Sequence, residues 1–521
     1  MPNADATDTD TPKRPRRVRV TTELGRPQTL AADATQFDRV GRGDNVLFLG
    51  LGPEPGRLPE LFPEHAGFGY YVENPAFAAQ MPPGWAESIP EGLKPLPPER
   101  LLRHYIKAAS VFRYRPNIRL FPSFWGPIWA RCALAPVKPA QPNPQPLVWL
   151  PGGADSLLVE ELDQAFRQAG MATHRLESDS VTATLLPRLL RDERPDLFFS
   201  VNFAGLDAFG GVAYLLAEAG VKVAVWCVDN PFHLLTEARS RYWAGLDLFV
   251  TDDWFIEPLR DLGAQSVHHL PLAAAPGFFS AAETPLPKDA EGIEERLAFV
   301  GRSAFPGKAE FFAGCELPPD FEATCDAEFD AADRPDFAWW LRRLEIFTLW
   351  PGQQVRRAGL AAEEAARRWR ALSLAMAEEA PGAELTVFGD DGWRDLLPEG
   401  SDIRRPVDYY TELPAIYHNA FAVLNVTSML LPHGLTQRHF DVWAAGGLLI
   451  TDNTRGLNLF PSEMTLEITF ARHPSIPAML ERFRKDDALR RDLIASWKEL
   501  VLQEHTYHNR VETVLAVLGM G

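Results

Sequence analysis

Cysteine is scarce in this chain, with four in 521 residues: Cys132, Cys227, Cys315 and Cys325. No two form a C-x-x-C pair, and none stands among histidines at zinc-ligand spacing, so neither a structural zinc site nor a disulfide scaffold is expected. Reduced thiols and a cytoplasmic location fit this usage. Long apolar runs are also missing. No stretch reaches the roughly 18 residues that a membrane-crossing helix needs, and the first thirty residues lack the apolar centre of a secretory leader. No integral membrane segment is expected. Basic charge is in deficit, with 52 Lys and Arg against 70 Asp and Glu, a net charge of −18. That balance argues against a nucleic-acid partner, which needs a basic stripe. One basic run, KRPRRVRV (Lys13–Val20), follows an acidic, Ala/Thr-rich start. It reads as a solvated tail, with a phosphate or membrane-surface contact as the alternative.

What remains is an ordinary globular composition, 46% hydrophobic and 23% charged, long enough for three domains. Residues 1–40 read as a disordered tail. Residues 41–135 form an α/β unit of unknown role, opened by the apolar run Val46–Leu49. Gly50, Gly52 and Gly56 follow it, and a second strand ends on Glu73. Strand, glycine turn and later acid are the parts of a nucleotide-binding half. Pro53, Pro55 and Pro59 crowd the start of the expected helix and weaken that signal. The unit vaguely resembles the first half of a methyltransferase fold. A Pro-rich linker occupies 136–146.

Beyond the linker the strand–helix rhythm restarts. LVWLPGG, a helix over Ala154–Ala169, DLFFSVNFAG, a helix through Ala219, VKVAVWCVDNP, LDLFVTDDW and SVHHLPLAA define one parallel α/β domain, 147–285. ERLAFVGRS, ELTVFGDDGW, AFAVLNVTS and GLLITDN define a second, 286–521, interrupted by a helical insertion at 306–380. The fold class is therefore α/β, with two facing Rossmann-like domains and an extra N-terminal α/β unit.

Ligands on such sheets sit beyond the carboxyl ends of the strands and against helix N-termini. Residues just after strands are thus the candidates. In the last domain these are Gly301, Arg302 and Ser303, then Gly389, Asp390 and Asp391, then Asn425, Thr427 and Ser428. The stretch HGLTQRHFDVWAAGGLLITDN (His433–Asn453) is the richest. Its helix start offers N–H groups for a diphosphate, Arg438 adds positive charge, and Asp441 can accept from ribose hydroxyls. Gly446 and Gly447 either approach phosphate or permit tight packing. Arg438 and Asp441 have a bland alternative as surface charges.

This stretch, with AELTVFGD before it and EHTYHNRVETVL after it, resembles the C-terminal half of group 1 type glycosyltransferases of the two-Rossmann-domain (GT-B) kind. HLPLAAAPGFF (His269–Phe279) and VWCVDNPFH are similar to motifs of the CgeB-like branch. The resemblance spans about 150–521 and leaves out the N-terminal unit. It implies transfer of a sugar from a nucleotide-sugar donor, with no cofactor besides that substrate. The acceptor is open: a protein such as flagellin, or a surface polysaccharide. The family often carries two glutamates separated by seven residues at this helix, the earlier near the sugar and the later on the ribose. Here those positions hold His433 and Asp441.

Transfer needs a base for the acceptor hydroxyl and positive charge for the leaving diphosphate. Asp229, after VKVAVWCV, is the leading candidate base, with capping of the next helix as its alternative role. Asp155 is a second candidate. Arg302 and Arg438 serve the diphosphate. No metal is expected, because the acids of Asp252-Asp253 and Asp390-Asp391 are adjacent and diverge. His268 and His269 read as a strand end, and Trp339, Trp340 and Trp350 as core. His505 and His508 lack a third ligand. Two rival functions stand beside transfer: a methyltransferase-like enzyme centred on Gly50–Glu73, and a non-catalytic binding protein with a degenerate transferase fold.

Overall fold

Short apolar runs bounded by glycine and proline become buried parallel strands here, and three sheets result. The computed structural model describes residues 18–521 apart from 66, 139, 141, 142, 154, 155, 157, 381 and 383. Lys13–Arg17 of the basic run and the candidate Asp155 lie outside the described residues.

An antiparallel ribbon, β1 (Val18–Thr21) with β2 (Pro27–Leu30), opens the chain. The first sheet has the order β3-β7-β4-β5-β6. Its strands are β3 (Phe37–Val40), β4 (Asn45–Leu49), β5 (Gly69–Val72), β6 (Leu93–Pro95) and β7 (Ala109–Tyr114), with β3 antiparallel at the edge. The expected tail is thus corrected over 18–40. Val20 and Leu30, 1% and 5% exposed, are buried in the first core, so this segment is part of the unit.

The second sheet is wholly parallel, in the order β13-β12-β11-β10-β8-β9. Its strands are β8 (Leu147–Pro151), β9 (Ala172–Leu176), β10 (Leu197–Val201), β11 (Lys222–Cys227), β12 (Asp247–Val250) and β13 (Ser266–His269). The third runs β16-β15-β14-β17-β18-β19, also parallel. It comprises β14 (Leu297–Val300), β15 (Leu385–Phe388), β16 (Asp402–Arg404), β17 (Ala422–Asn425), β18 (Leu449–Asp452) and β19 (Thr469–Phe470). This is the Rossmann order, with its switch point between β14 and β17. The expected α/β class with two Rossmann-like domains is borne out.

The inserted segment is shorter than expected. The helix Val355–Glu378 is the crossover that carries the chain from β14 to β15, as any parallel pair requires. Only the stretch before it, with helices Lys308–Phe311, Phe321–Asp330 and Phe337–Arg343, is additional. Trp340 and Trp350 are core, at 0% and 3% exposure.

Two connections join the facing domains. The first is the segment after β13. The second returns from the last domain at His505, whose carbonyl accepts from Ala274 N–H at 2.9 Å. The final helix, Tyr507–Val517, then packs on the helix Val159–Gln168 of the other domain. Arg510, 7% exposed, knots the two connections. It donates to the carbonyls of Pro271 at 2.8 Å and Leu272 at 3.0 Å, and sits 2.7 Å from His505 Nδ1. Burial lowers the Arg510 pKa to about 10. His505 is held neutral, its pKa lowered to about 4 by burial and then by Arg510. His508 instead faces Glu512 at 3.4 Å.

The N-terminal unit is docked, with its helix Pro122–Leu134 lying on the helix Gly211–Glu218. Ala130 and Leu134 share a core with Leu147, Trp149, Val212 and Leu216. A boundary at 135 therefore cuts through a packed layer, and a fragment starting near Pro146 would bare that face.

Candidate active site

The carboxyl edges of the second and third sheets face one another across a cavity of about 660 Å³. Asp229 and Asn230, just after β11, line one side, while Arg302 after β14 and Ser428 after β17 line the other. The cavity therefore lies at the switch point of the third sheet, where open α/β sheets take their ligands. The crossover helix adds Glu363 and Arg370 as a wall, paired at 3.3 Å. Burial raises the Glu363 pKa first, and Arg370 opposes it.

Asp229 is not the cap of the helix that follows it. Asn230 fills that role, its Oδ1 accepting from Phe232 N–H at 3.0 Å. Asn230 Nδ2 also donates to the Leu430 carbonyl at 3.0 Å, so this turn touches both domains. The Asp229 carboxylate is left at the cleft, where solvent reaches it but the surrounding protein raises its pKa. Among the described residues its one side-chain partner is Asn202, whose Nδ2 donates to Oδ2 at 2.7 Å. Asn202 Oδ1 accepts from Val228 N–H at 2.9 Å, which fixes the amide. Asn202 and Phe203 have φ of 51° and 63°, a left-handed backbone uncommon outside glycine and often found at functional sites. Sequence reading missed Asn202, although its place just after β10 obeys the same rule that picked Asp229. It also missed Glu363 and Arg370, whose only signal is two opposite charges two turns apart on an Ala-rich helix.

The other candidates sort into three groups. Gly301, Asn425 and Arg438 meet at the ends of β14 and β17. Arg438 donates to Asn425 Oδ1 and to the Val300 carbonyl, and its guanidinium lies 4.9 Å from the Phe299 ring centre. A Cβ on Gly301 would come 3.0 Å from Arg438. Arg438 thus ties together the floor of the switch point without itself lining the cavity. Gly389 and Asp390 brace the Gly301–Ser303 turn. A Cβ at Gly389 would lie 2.4 Å from the Gly301 carbonyl, so only glycine fits. Asp390 accepts from Ser303 N–H at 2.9 Å and from Ser303 Oγ at 2.5 Å. Burial would raise its pKa, but these bonds and one from Gly392 hold it below the ordinary value.

Thr427 and Asp452 form a buried pair. Thr427 N–H and Oγ1 each donate to Asp452 at 2.8 Å, and Arg334 donates to Thr427 Oγ1 at 2.6 Å. The remaining candidates lie elsewhere. Gly446 and Gly447 stand at the C-terminal end of the helix Gln437–Ala445, far from its N–H groups, so the phosphate option is corrected. Gly446 takes φ of 75° to end the helix, and a Cβ on Gly447 would strike the Tyr417 carbonyl at 2.4 Å.

Asp441 is 1% exposed, and its oxygens face protein. Tyr409 OH donates to it at 2.8 Å, Gln437 Nε2 at 2.9 Å and Ala275 N–H at 3.5 Å. The helix is thereby tied to the interdomain connection. Burial raises the Asp441 pKa to about 7. The native state then holds a proton that the unfolded chain has lost, so stability on this account falls as pH rises from about 4 to about 7. Asp441→Asn should flatten that part of the stability–pH curve, measured by urea unfolding at stepped pH. An unchanged slope would remove Asp441 as its source.

His433 reaches the opposite domain. Its Nδ1 lies 2.7 Å from Asp253 Oδ1, and its N–H donates to Asp252 Oδ2 at 2.9 Å. Asp252, Asp253 and His433 bring ligand atoms within 4.8 Å of one another, a spacing that can hold a cation. The expectation that the acid pair diverges overlooked the histidine arriving from the other domain. Burial first, opposed by backbone N–H donors and His433, raises the Asp252 pKa to about 6.

In the N-terminal unit, Glu73 accepts from the N–H of Leu51 at 2.8 Å and of Asn74 at 2.9 Å, and Trp85 Nε1 donates to the Gly52 carbonyl at 3.0 Å. Burial raises the Glu73 pKa to about 7. The acid that would meet a cofactor ribose is engaged by its own glycine turn.

Residues 367–516 match the family model described as glycosyl transferase-like. None of the curated proteins matches the chain in sequence. Among solved structures the chain is similar to an alpha-glucosyltransferase in complex with UDP, at 10% identity over 72% of this chain and 99% of that one, with a TM-score of 0.43. Anabaena Alr3699/HepE in complex with UDP gives 8% identity over 72% and 99%, with a TM-score of 0.41. The T4 phage BGT in complex with UDP-glucose gives 8% over 71% and 98%, also at 0.41. These structural likenesses are too remote to bring an activity to this chain. No described helix is long and apolar enough to cross a membrane.

Proposed function

We propose that this chain transfers a sugar from a nucleotide-sugar donor to an acceptor hydroxyl in the cavity between the second and third sheets. The observation that carries the reading is the meeting there of Asp229 from one domain with Arg302 from the other. The family match over the last domain supports it, and the motifs around His269 and Asp229 favour the CgeB-like branch. Arg302 neutralises the diphosphate from above, and Arg438 lends charge from the floor. Asp229, aimed by Asn202, takes the proton of the acceptor hydroxyl as its oxygen attacks the anomeric carbon. The nucleoside diphosphate departs with the bonding pair. The neighbouring His433 holds the cleft wall by its pair with Asp253.

The test is a panel of nucleotide sugars, scored by melting temperature and by release of nucleoside diphosphate with the full chain. A bound donor raises the melting temperature, and a panel with neither shift nor release overturns the reading. Arg302→Ala should weaken donor affinity about ten- to a hundred-fold, since a charged hydrogen bond contributes roughly 1.5–3 kcal/mol, and should leave melting unchanged. Arg438→Ala should lower both affinity and melting temperature, because it also frees Asn425 and the Val300 carbonyl. Arg438→Lys restores only part. Equal melting for Arg438→Ala and the natural chain would refute the floor role.

Because arginines meet the diphosphate, transfer should persist in EDTA. Loss that manganese restores would instead assign a cation to Asp252, Asp253 and His433.

A further inference from the structure

A second cavity, of about 510 Å³, lies beside the first and shares none of its lining residues. The loop Ser428–His433 and the crossover helix divide them. Ser428, Leu430 and Arg370 face the first, and Pro432, His433 and Trp369 the second. Its floor is the carboxyl edge of β18 and β19, and its outer wall is the additional segment before the crossover helix.

The charges of this cavity are not evenly engaged. Asp452 is turned into the protein by Thr427. Asp336 accepts from Trp339 N–H at 2.8 Å, capping its helix. Arg334 is committed to Thr427 and to the Asn453 carbonyl. Arg342 and Arg455 differ, because neither has a carboxylate within ion-pair distance among the described residues. Among the described residues, Arg455 has one side-chain hydrogen-bond contact, to His433 Nε2 at 3.5 Å. Two uncommitted guanidiniums from separate elements therefore line one cavity, while Asp336 and Asp452 are occupied and the exposed Asp333 accepts from Arg334 N–H at 2.8 Å. Trp254, from the facing domain, adds an aromatic wall on which a sugar ring can stack.

We propose that this second cavity binds an oxyanion-bearing sugar, with Arg342 and Arg455 holding the phosphate or carboxylate. On the transfer reading, on which this role rests, that sugar is part of the acceptor. A forked guanidinium suits either anion and a neutral hydroxyl poorly. The additional segment thereby acts as a specificity element, since it supplies Arg342 and the outer wall.

Isothermal titration of the full chain with glucose 6-phosphate, glucuronate and methyl glucoside tests the proposal. At least one charged sugar should bind, and whichever binds names the anion; methyl glucoside should not. Saturating UDP should leave that binding in place. The double variant Arg342→Gln, Arg455→Gln should weaken it at least about tenfold, as loss of charged hydrogen bonds predicts, and Arg302→Ala should not change it. Absence of binding by both charged sugars, displacement by UDP, or wild-type affinity in a folded double variant overturns the proposal. If the charged sugar binds as expected but no nucleotide sugar does, the site stands and the transfer reading fails.

Discussion

Asp229→Asn should reduce turnover about a hundred- to ten-thousand-fold, the usual contribution of a positioned base, while donor affinity and melting temperature stay near wild type. The amide has the same shape and remains within reach of Asn202, and the helix cap belongs to Asn230. Nothing structural is lost, so the deficit lies in proton removal alone. The pH profile of the natural chain should carry an acidic limb above the ordinary carboxylate range, because its surroundings raise the Asp229 pKa and only Asn202 opposes this. Asn202→Gly removes that opposing hydrogen bond without straining a left-handed backbone. Its acidic limb should therefore move to higher pH. A variant Asp229→Asn with wild-type turnover would place the base elsewhere.

Trp443→Ala should cost about 3–5 kcal/mol of stability, the range for deleting a buried aromatic. Trp443 stacks on Trp497 with ring centres 3.8 Å apart and planes 7° from parallel, and Phe460 meets its edge at 5.0 Å. Both tryptophans are at most 1% exposed. The helix carrying Trp443 also carries Arg438 and Asp441, so its seating places the cleft floor. Trp443→Phe should lose less, since most of the apolar volume stays. Chemical denaturation measures both, and a loss below about 1 kcal/mol for Trp443→Ala, well short of the cavity range, would mean the C-terminal helices do not seat this element.

The central strands were legible because they are continuous apolar runs. β8, β10, β11, β12, β14, β15, β17 and β18 all fall on expected segments. The strands that escaped notice in these two sheets are β9, β16 and β19, all at edges. Edge strands are half-solvated, so ATHRL holds His and Arg in mid-strand and DIR keeps a lone apolar residue, while the central strands carry charge only at their ends. The site was legible where chemistry follows a strand directly, as at Asp229 and Arg302. It was not legible where two distant segments meet. Nothing local to His433 announces Asp253, and nothing local to Asp441 shows that Tyr409 and Ala275 enclose it. The chemical types at those positions were right for a ligand, and tertiary packing engaged them with protein partners.

The paired crossings near Ala274 and His505 have a mechanical consequence. A body joined by one strand can swivel freely, but one joined by two adjacent strands rotates chiefly about the line through both. Arg510 rivets the strands together, and the final helix clamps the moving half to its neighbour. The N-terminal unit, bonded along Pro122–Leu134, rides as ballast on the same half. Any opening about that line must break the bonds on its other side, where Asn230 donates to the Leu430 carbonyl, Gln353 to the Thr236 carbonyl, and His433 meets Asp253.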